Sequence, residues 1–199
     1  MTKCRLCLSI LIVCFTLSSV FAQNKRSFID ELNQANPWAD AVFKKLSRKQ
    51  RIAQLFFVRA HTDKGKAYED SIAKVIRKEK IGGLVFFQGG PGRQIQLTSR
   101  YQALAKVPLL IAMDAEWGLG MRLDSTMSYP YQMTLGAIQD ISLIEKMGQE
   151  IAKDLKKVGV HINFAPDVDI NNNPKNPVIG FRSFGDDKVQ VARKAAAYM

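Results

Sequence analysis

Two short stretches of this chain concentrate residues able to do chemistry. The first is Asp114-Ala115-Glu116-Trp117-Gly118, with Arg122 close behind. The second is Asn163-Phe164-Ala165-Pro166-Asp167-Val168-Asp169, which runs through Asn171-Asn172-Asn173-Pro174 to Ile179-Gly180-Phe181-Arg182-Ser183-Phe184-Gly185. A carboxylate facing a cleft accepts from two hydroxyls at once, and a guanidinium donates a fork of hydrogen bonds. Asp114 with Arg182 is therefore a candidate clamp for a monosaccharide; the alternative makes Asp114 a cap or an ion-pair partner. Trp117 could stack on a sugar face, although a lone Trp after a strand more commonly packs. Glu116 and Arg122 are expected to pair and hold their loop. Asp167 and Asp169 flank Val168, so in an extended chain both point to one side and repel, unless a turn after Pro166 separates them.

Each stretch follows a short apolar run, at residues 108–113 and 160–165, and residues 55–58 and 84–87 read the same way. These are the four expected strands. Between them lie helical patterns. Ser47-Arg48-Lys49-Gln50 has capping-box spacing and opens a short helix through about Gln54. A second helix over about 68–80 puts Ile72, Val75 and Ile76 on one face, and Gly82-Gly83 is expected to close it as a glycine past a helix end does. Residues 94–105 read as helix, and from Ile141 the series Ile144, Met147, Ile151, Leu155 and Val158 forms one apolar stripe ended by Gly159. A last helix starts near Lys188. Continuously apolar strands alternating with helices predict an α/β fold with a parallel sheet covered by helices, whose functional groups collect past the carboxyl ends of the strands. Two architectures share that pattern: an open doubly wound sheet, or a (β/α)8 barrel cut short, since a complete barrel takes ~250 residues and the chain has 199. The chain ends within an apparent helix, which fits truncation.

Residues 1–22 have the plan of a signal peptide: Lys3 and Arg5, an apolar run, then Val20 and Ala22 as small cleavage-site residues. An uncleaved membrane anchor is the alternative. Residues 23–39 form a polar lead-in and 40–199 a single domain. Cys4, Cys7 and Cys14 all lie in the leader, so cleavage leaves no disulfide or thiolate metal site, and no metal cluster is expected. The formal net charge is +11, but the basic residues, such as Lys44-Lys45, Arg77-Lys78 and Lys156-Lys157, are spread along helical stretches without interleaved aromatics. That pattern fits solvated helix faces rather than a nucleic-acid surface, and leaves attraction to an anionic cell wall or glycan. Gly89-Gly90-Pro91-Gly92 lacks the Lys-Ser/Thr ending of a phosphate loop and reads as a strand-to-helix turn. His161 is expected as a packed core residue within a strand; His61 follows the first strand without a recognisable acid–base partner.

The segments Ile111-Ala112-Met113-Asp114-Ala115-Glu116, Asn163 to Asp169, and Ile179 to Gly185 resemble, in order and spacing, successive signatures of the glycoside hydrolase family 3 N-terminal domain. The resemblance covers residues 40–199 and implies an incomplete (β/α)8 TIM barrel, about the first four strand–helix units. The Asn-Phe-Ala-Pro-Asp stretch is more similar to the β-N-acetylglucosaminidase branch than to the β-glucosidase branch. By this resemblance Asp114 and Arg182 bind substrate and Asp169 rather than Asp167 takes the acidic position of the motif; Glu116, Trp117 and Asp169 are candidates to line the site. Trp117-Gly118 departs from the paired glycines common in that branch. The implied activity is retaining hydrolysis of terminal β-linked N-acetylglucosamine, a step of carbohydrate metabolism such as peptidoglycan turnover, through a covalent glycosyl-enzyme and without a cofactor. The family's nucleophilic Asp, its Lys-His-Phe-x-Gly-His-Gly segment and its Asp/His loop do not occur before Met199, so no catalytic residue is assigned here and the 199-residue chain alone is expected to be inactive. A β-glucosidase of the same family and a non-catalytic carbohydrate-binding remnant are the alternatives. The expected partner is a carbohydrate, with no nucleic acid and no stable membrane span after leader cleavage, and the expected location is secreted or periplasmic.

Overall fold

The computed structural model describes residues 28–199, so the leader read in residues 1–22, with its three cysteines, lies outside the described residues. The chain divides into two units, one ending at Ala41 and one running from Val42 to Met199. In the first, a short helix α1 (Phe28–Leu32) occupies part of the stretch expected as a plain polar lead-in, and Asn36 Oδ1 caps the start of α2 (Pro37–Lys45) by accepting from the Ala39 amide.

In the second unit the capping-box spacing folds as its chemistry demands. Ser47 Oγ accepts from the Gln50 amide at 3.3 Å and Gln50 Oε1 from the Ser47 amide at 3.1 Å, which opens α3 (Arg48–Ala53). Then come β1 (Phe57–Ala60), α4 (Gly65–Glu79), β2 (Gly83–Phe86), α5 (Pro91–Leu104), β3 (Leu110–Met113), α6 (Gln132–Ala137), α7 (Ile141–Lys157), β4 (Ile162–Asn163) and α8 (Lys188–Tyr198). The four strands pair in parallel in the order β1-β2-β3-β4. A doubly wound sheet reverses its strand order at a switch point, whereas a barrel adds each strand beside the last. The unbroken order thus selects the barrel arc over the open sheet. The arc also curls: Phe57 of β1 and Phe164, just past β4, meet edge to face at 6.3 Å. On a flat sheet three strand spacings would separate them by roughly 14 Å.

One side of the strands, Ala60, Leu84, Phe86, Ile111 and Met113, is buried beneath the helices, where it meets the whole stripe foreseen for α7, from Ile144 to Val158. Between α4 and α5 the buried carboxylate of Glu69 is held by Arg93 at 2.5 Å and Arg100 at 3.4 Å, and Arg100 also reaches Asp70. Burial beside this acid pushes the Tyr101 hydroxyl up to about 12.

Several boundaries differ from the sequence reading, each for a local reason. The first strand starts two residues late because the Leu55 and Phe56 amides still donate to Ile52 and Ala53, prolonging the helical turn and leaving both side chains exposed. Helices α4 and α5 start three residues early, α5 because Pro91 fits its first turn. The left-handed residue that ends α4 is Lys80, at φ 57°, not Gly82 or Gly83. Those glycines answer crowding instead. A Cβ on Gly82 would enter the Gln54 carbonyl, and one on Gly83 the Phe57 ring. The fourth strand shrinks to two residues, and His161 just before it is exposed rather than a packed core residue. Its ring nitrogen Nδ1 accepts from the Ile111 amide at 3.0 Å, serving the sheet ladder in place of a carbonyl.

Candidate functional site

Where β3 ends at Met113, the next residue carries the Asp114 carboxylate past the carboxyl end of the sheet. The chain then turns through Gly118, at φ 84°, and a single 3-10 turn, Leu119–Met121, which brings Arg122 back onto the strand end. Arg122 donates from Nε to the Asp114 carbonyl at 3.1 Å and from Nη2 to Asp114 Oδ2 at 2.9 Å. The loop is fixed from below by side chains of other elements. Asn163 of β4 accepts from the Ala115 amide at 3.0 Å and donates to its carbonyl at 3.3 Å. Tyr198 of α8 holds its hydroxyl 3.2 and 3.1 Å from the Ala115 and Glu116 carbonyls, and Gln132 of α6 donates to the latter at 3.1 Å. Burial in this bracket raises the Tyr198 pKa well above the ordinary tyrosine value.

The second stretch reaches the same place from β4. Arg182 closes the 3-10 turn Gly180–Arg182 and grips Glu116, with Nη2 2.6 Å from Oε1 and Nε 3.0 and 3.1 Å from the two oxygens. The same guanidinium lies 3.2 Å from Asp167 Oδ2. Its pKa is raised, first by the hydrogen bond to Glu116 and further by the charges of Glu116, Asp167 and Asp114, so Asp114 and Arg182 share one field without being bonded to each other. The expected pairing of Glu116 with Arg122 is overturned: Glu116 is buried and belongs to Arg182, and Arg122 belongs to Asp114. Arg122 is thus the cation in the cluster that sequence reasoning reduced to a loop tie, and the signal for it was its return over one tight turn onto the strand end.

A turn does follow Pro166. The Asp169 amide donates to Asp167 Oδ1 at 2.8 Å, leaving Asp167 facing Arg182 and Asp169 exposed. The two acids still interact. Hydrogen bonding to Asp167, then its charge, raises the Asp169 pKa, against the pull of Arg182. Trp117 lies edge-on to Tyr131, ring centroids 4.7 Å apart. Among the described residues no group of three or more His, Cys, Asp or Glu could hold a metal ion, and no helix is long and apolar enough to cross a membrane.

His61, beyond the end of β1, is buried with its ring stacked on Phe87, the ring that also carries the guanidiniums of Arg59 and Arg122. Among the described residues neither ring nitrogen has a hydrogen-bond partner. Burial first, then the charge of Lys64, lowers the His61 pKa, with Asp63 opposing at 3.6 Å. The fold therefore favours the neutral ring. Below the unfolded value of about 6.5 the unfolded chain takes up the proton first, so stability falls as pH drops from there towards the folded pKa. Urea unfolding at pH 7.5 and pH 5 is expected to show a larger loss for wild type than for His61→Phe; parallel losses would clear His61 of this role.

With the geometry in place, comparison with known proteins gives a consistent relationship. The glycosyl hydrolase family 3 N-terminal domain matches residues 47–199. β-Hexosaminidase A of Pseudoalteromonas piscicida is 32% identical over 139 residues, 63% of this chain and 23% of that protein. Among solved structures, a family 3 β-N-acetylglucosaminidase from Paenibacillus superposes with a TM-score of 0.68 at 34% identity, covering 77% of this chain and 30% of its own. A β-glucoside phosphorylase, BglX, superposes at 0.74 with 27% identity, covering 81% and 29%. The chain therefore spans under a third of the length of each.

Proposed function

The chain belongs to glycosyl hydrolase family 3 through its N-terminal domain, and from that premise we propose that Asp114, Arg122 and Arg182 bind the terminal β-linked N-acetylglucosamine of a glycan that the whole protein hydrolyses. The observation that carries this is the paired cluster at the mouth of the barrel arc, in which two guanidiniums and three carboxylates converge from the ends of β3 and β4. Arg122 uses Asp114 Oδ2, so Oδ1 is left to accept from sugar hydroxyls, while Arg182 spends Nε and Nη2 on Glu116 and Asp167 and keeps Nη1, 3.5 Å from the Val178 carbonyl, as the donor it can offer a sugar. The names of the hexosaminidase relatives support the N-acetylated sugar. The reading includes a retaining route, in which a carboxylate on a later strand forms a covalent glycosyl-enzyme that water then opens. It includes peptidoglycan fragments as substrate, and export to the periplasm or medium by the leader in residues 1–22.

Calorimetric titration of the chain with N-acetylglucosamine and with glucose tests the binding reading, and an aryl β-N-acetylglucosaminide tests turnover. The 199-residue chain is expected to bind N-acetylglucosamine and to leave the aryl glycoside intact, while the whole protein cleaves it. No binding of either sugar would remove the proposal. The likeness to a β-glucoside phosphorylase supports a second reading, a glucose-type site; tighter binding of glucose than of N-acetylglucosamine would select it.

A further inference from the structure

Ala60, Phe86 and Met113 are register partners at the ends of β1, β2 and β3, and their side chains are buried beneath the helices. Side chains alternate along a strand, so the next residue on each, His61, Phe87 and Asp114, faces the other way. The ladder carries this row past the strand ends: the Phe87 amide donates to the Ala60 carbonyl at 2.8 Å and the Thr62 amide to the Gln88 carbonyl at 3.1 Å. Phe87 thus stands between a histidine and the carboxylate of the proposed sugar clamp.

The Phe87 ring is half-buried, lies apart from the apolar core and meets polar and charged groups instead. His61 stacks on it, with centroids 5.6 Å apart and planes 22° from parallel. Two guanidiniums lie over it, Arg122 at 4.7 Å and Arg59 at 4.8 Å. Like charges repel, yet both gather here, because the negative face of an aromatic ring attracts cations and suits a flat guanidinium.

Arg122 meets Asp114 through Nε and Nη2, both N–H groups in the guanidinium plane and both bound to the same residue. Those bonds leave the group free to tilt about its bonded edge. A ring 4.7 Å from the guanidinium carbon opposes that tilt, which would otherwise re-aim the remaining donors of Arg122 and the Asp114 carboxylate with them. A binding group is held in its productive geometry by neighbours of this kind, packed against it from a rigid element.

We propose that Phe87 is a positioning residue for sugar binding: its ring sets the tilt of Arg122, and through Arg122 the direction of the Asp114 carboxylate, while His61 stacked on the ring keeps it in place. The inference rests on the sugar-binding reading of Asp114 and Arg122, and adds a residue that acts on the sugar only through them.

N-acetylglucosamine titrations of the full chain, run beside melting curves, test it. Phe87→Leu keeps an apolar side chain without the ring face and is expected to weaken binding about fivefold to tenfold, the worth of one partly desolvated cation–π contact. Phe87→Tyr restores a ring and should bind within about twofold of the wild type. In an Arg122→Met background, which has no cation to aim, the effect of Phe87→Leu should shrink to under about twofold. A trifluorinated phenylalanine at position 87 has nearly the native shape and a much weaker π face. It should reproduce the Phe87→Leu loss, and it decides the matter where either variant fails to fold or binds too weakly to measure. Undiminished affinity in Phe87→Leu, a loss that tyrosine does not repair, or a loss that persists without Arg122 each overturns the positioning role and leaves the terminal-sugar site standing. Failure of the wild type to bind the sugar overturns the underlying reading itself.

Discussion

Replacing Arg182 by Met is expected to cost the domain about 3 kcal/mol, because it leaves the Glu116 carboxylate buried without its partner. Glu116 has nowhere else to turn. Its own carbonyl is pinned by Gln132 and Tyr198, and Arg122, the other cation of the cluster, is engaged with Asp114 on two atoms. For a domain of this size the loss corresponds to a fall in Tm of roughly 10 °C. The isosteric change Glu116→Gln removes the charge while keeping an acceptor, so Arg182→Met combined with Glu116→Gln should recover at least about 1 kcal/mol relative to the sum of the single costs. Thermal and urea unfolding of the four proteins give the cycle. Additive costs would mean that the two side chains, though 2.6 Å apart, do not depend on each other for stability.

The contrast between what the sequence disclosed and what it withheld follows the range of the forces involved. The stripe from Ile144 to Val158 was legible because a helical period and burial are both local properties of α7, and the box at Ser47 because its two hydrogen bonds span only three residues. The apolar run into Asp114 located the end of β3 to the residue. The choice of ion-pair partners was not legible. Glu116 and Arg182 are sixty-six positions apart, and whether Arg122 meets Asp114 or Glu116 depends on the backbone turn at Gly118 and the 3-10 turn after it. The roles of Asp167 and Asp169 were open for a similar reason. A single amide-to-carboxylate bond bends the chain so that one acid faces Arg182 and the other faces solvent. Gly82 and Gly83 show the same limit in reverse: the residue type was noticed, but the neighbours that require it, Gln54 and Phe57, come from another segment.

Asp114→Ala separates recognition from stability more cleanly than any change at Arg182. Its carboxylate is partly exposed, and its ion-pair partner Arg122 keeps the bond from Nε to the backbone carbonyl of residue 114 and its stacking on Phe87 when the acid is gone, so the melting temperature should move little. Affinity should not be spared. Two hydrogen bonds from sugar hydroxyls to an ionised carboxylate contribute about 1.5–3 kcal/mol each, so N-acetylglucosamine binding is expected to weaken by about two to four orders of magnitude. Asp114→Asn keeps one acceptor oxygen in the same place and should fall between, at roughly tenfold to thirtyfold. The two variants therefore rank by lost charge and lost acceptors rather than by lost fold, whereas Arg182→Met lowers affinity and melting temperature together. Calorimetry and melting curves on the same preparations read both quantities. An Asp114→Ala protein that binds the sugar as the wild type does, with an unchanged melting temperature, would assign this carboxylate to holding Arg122 and nothing more.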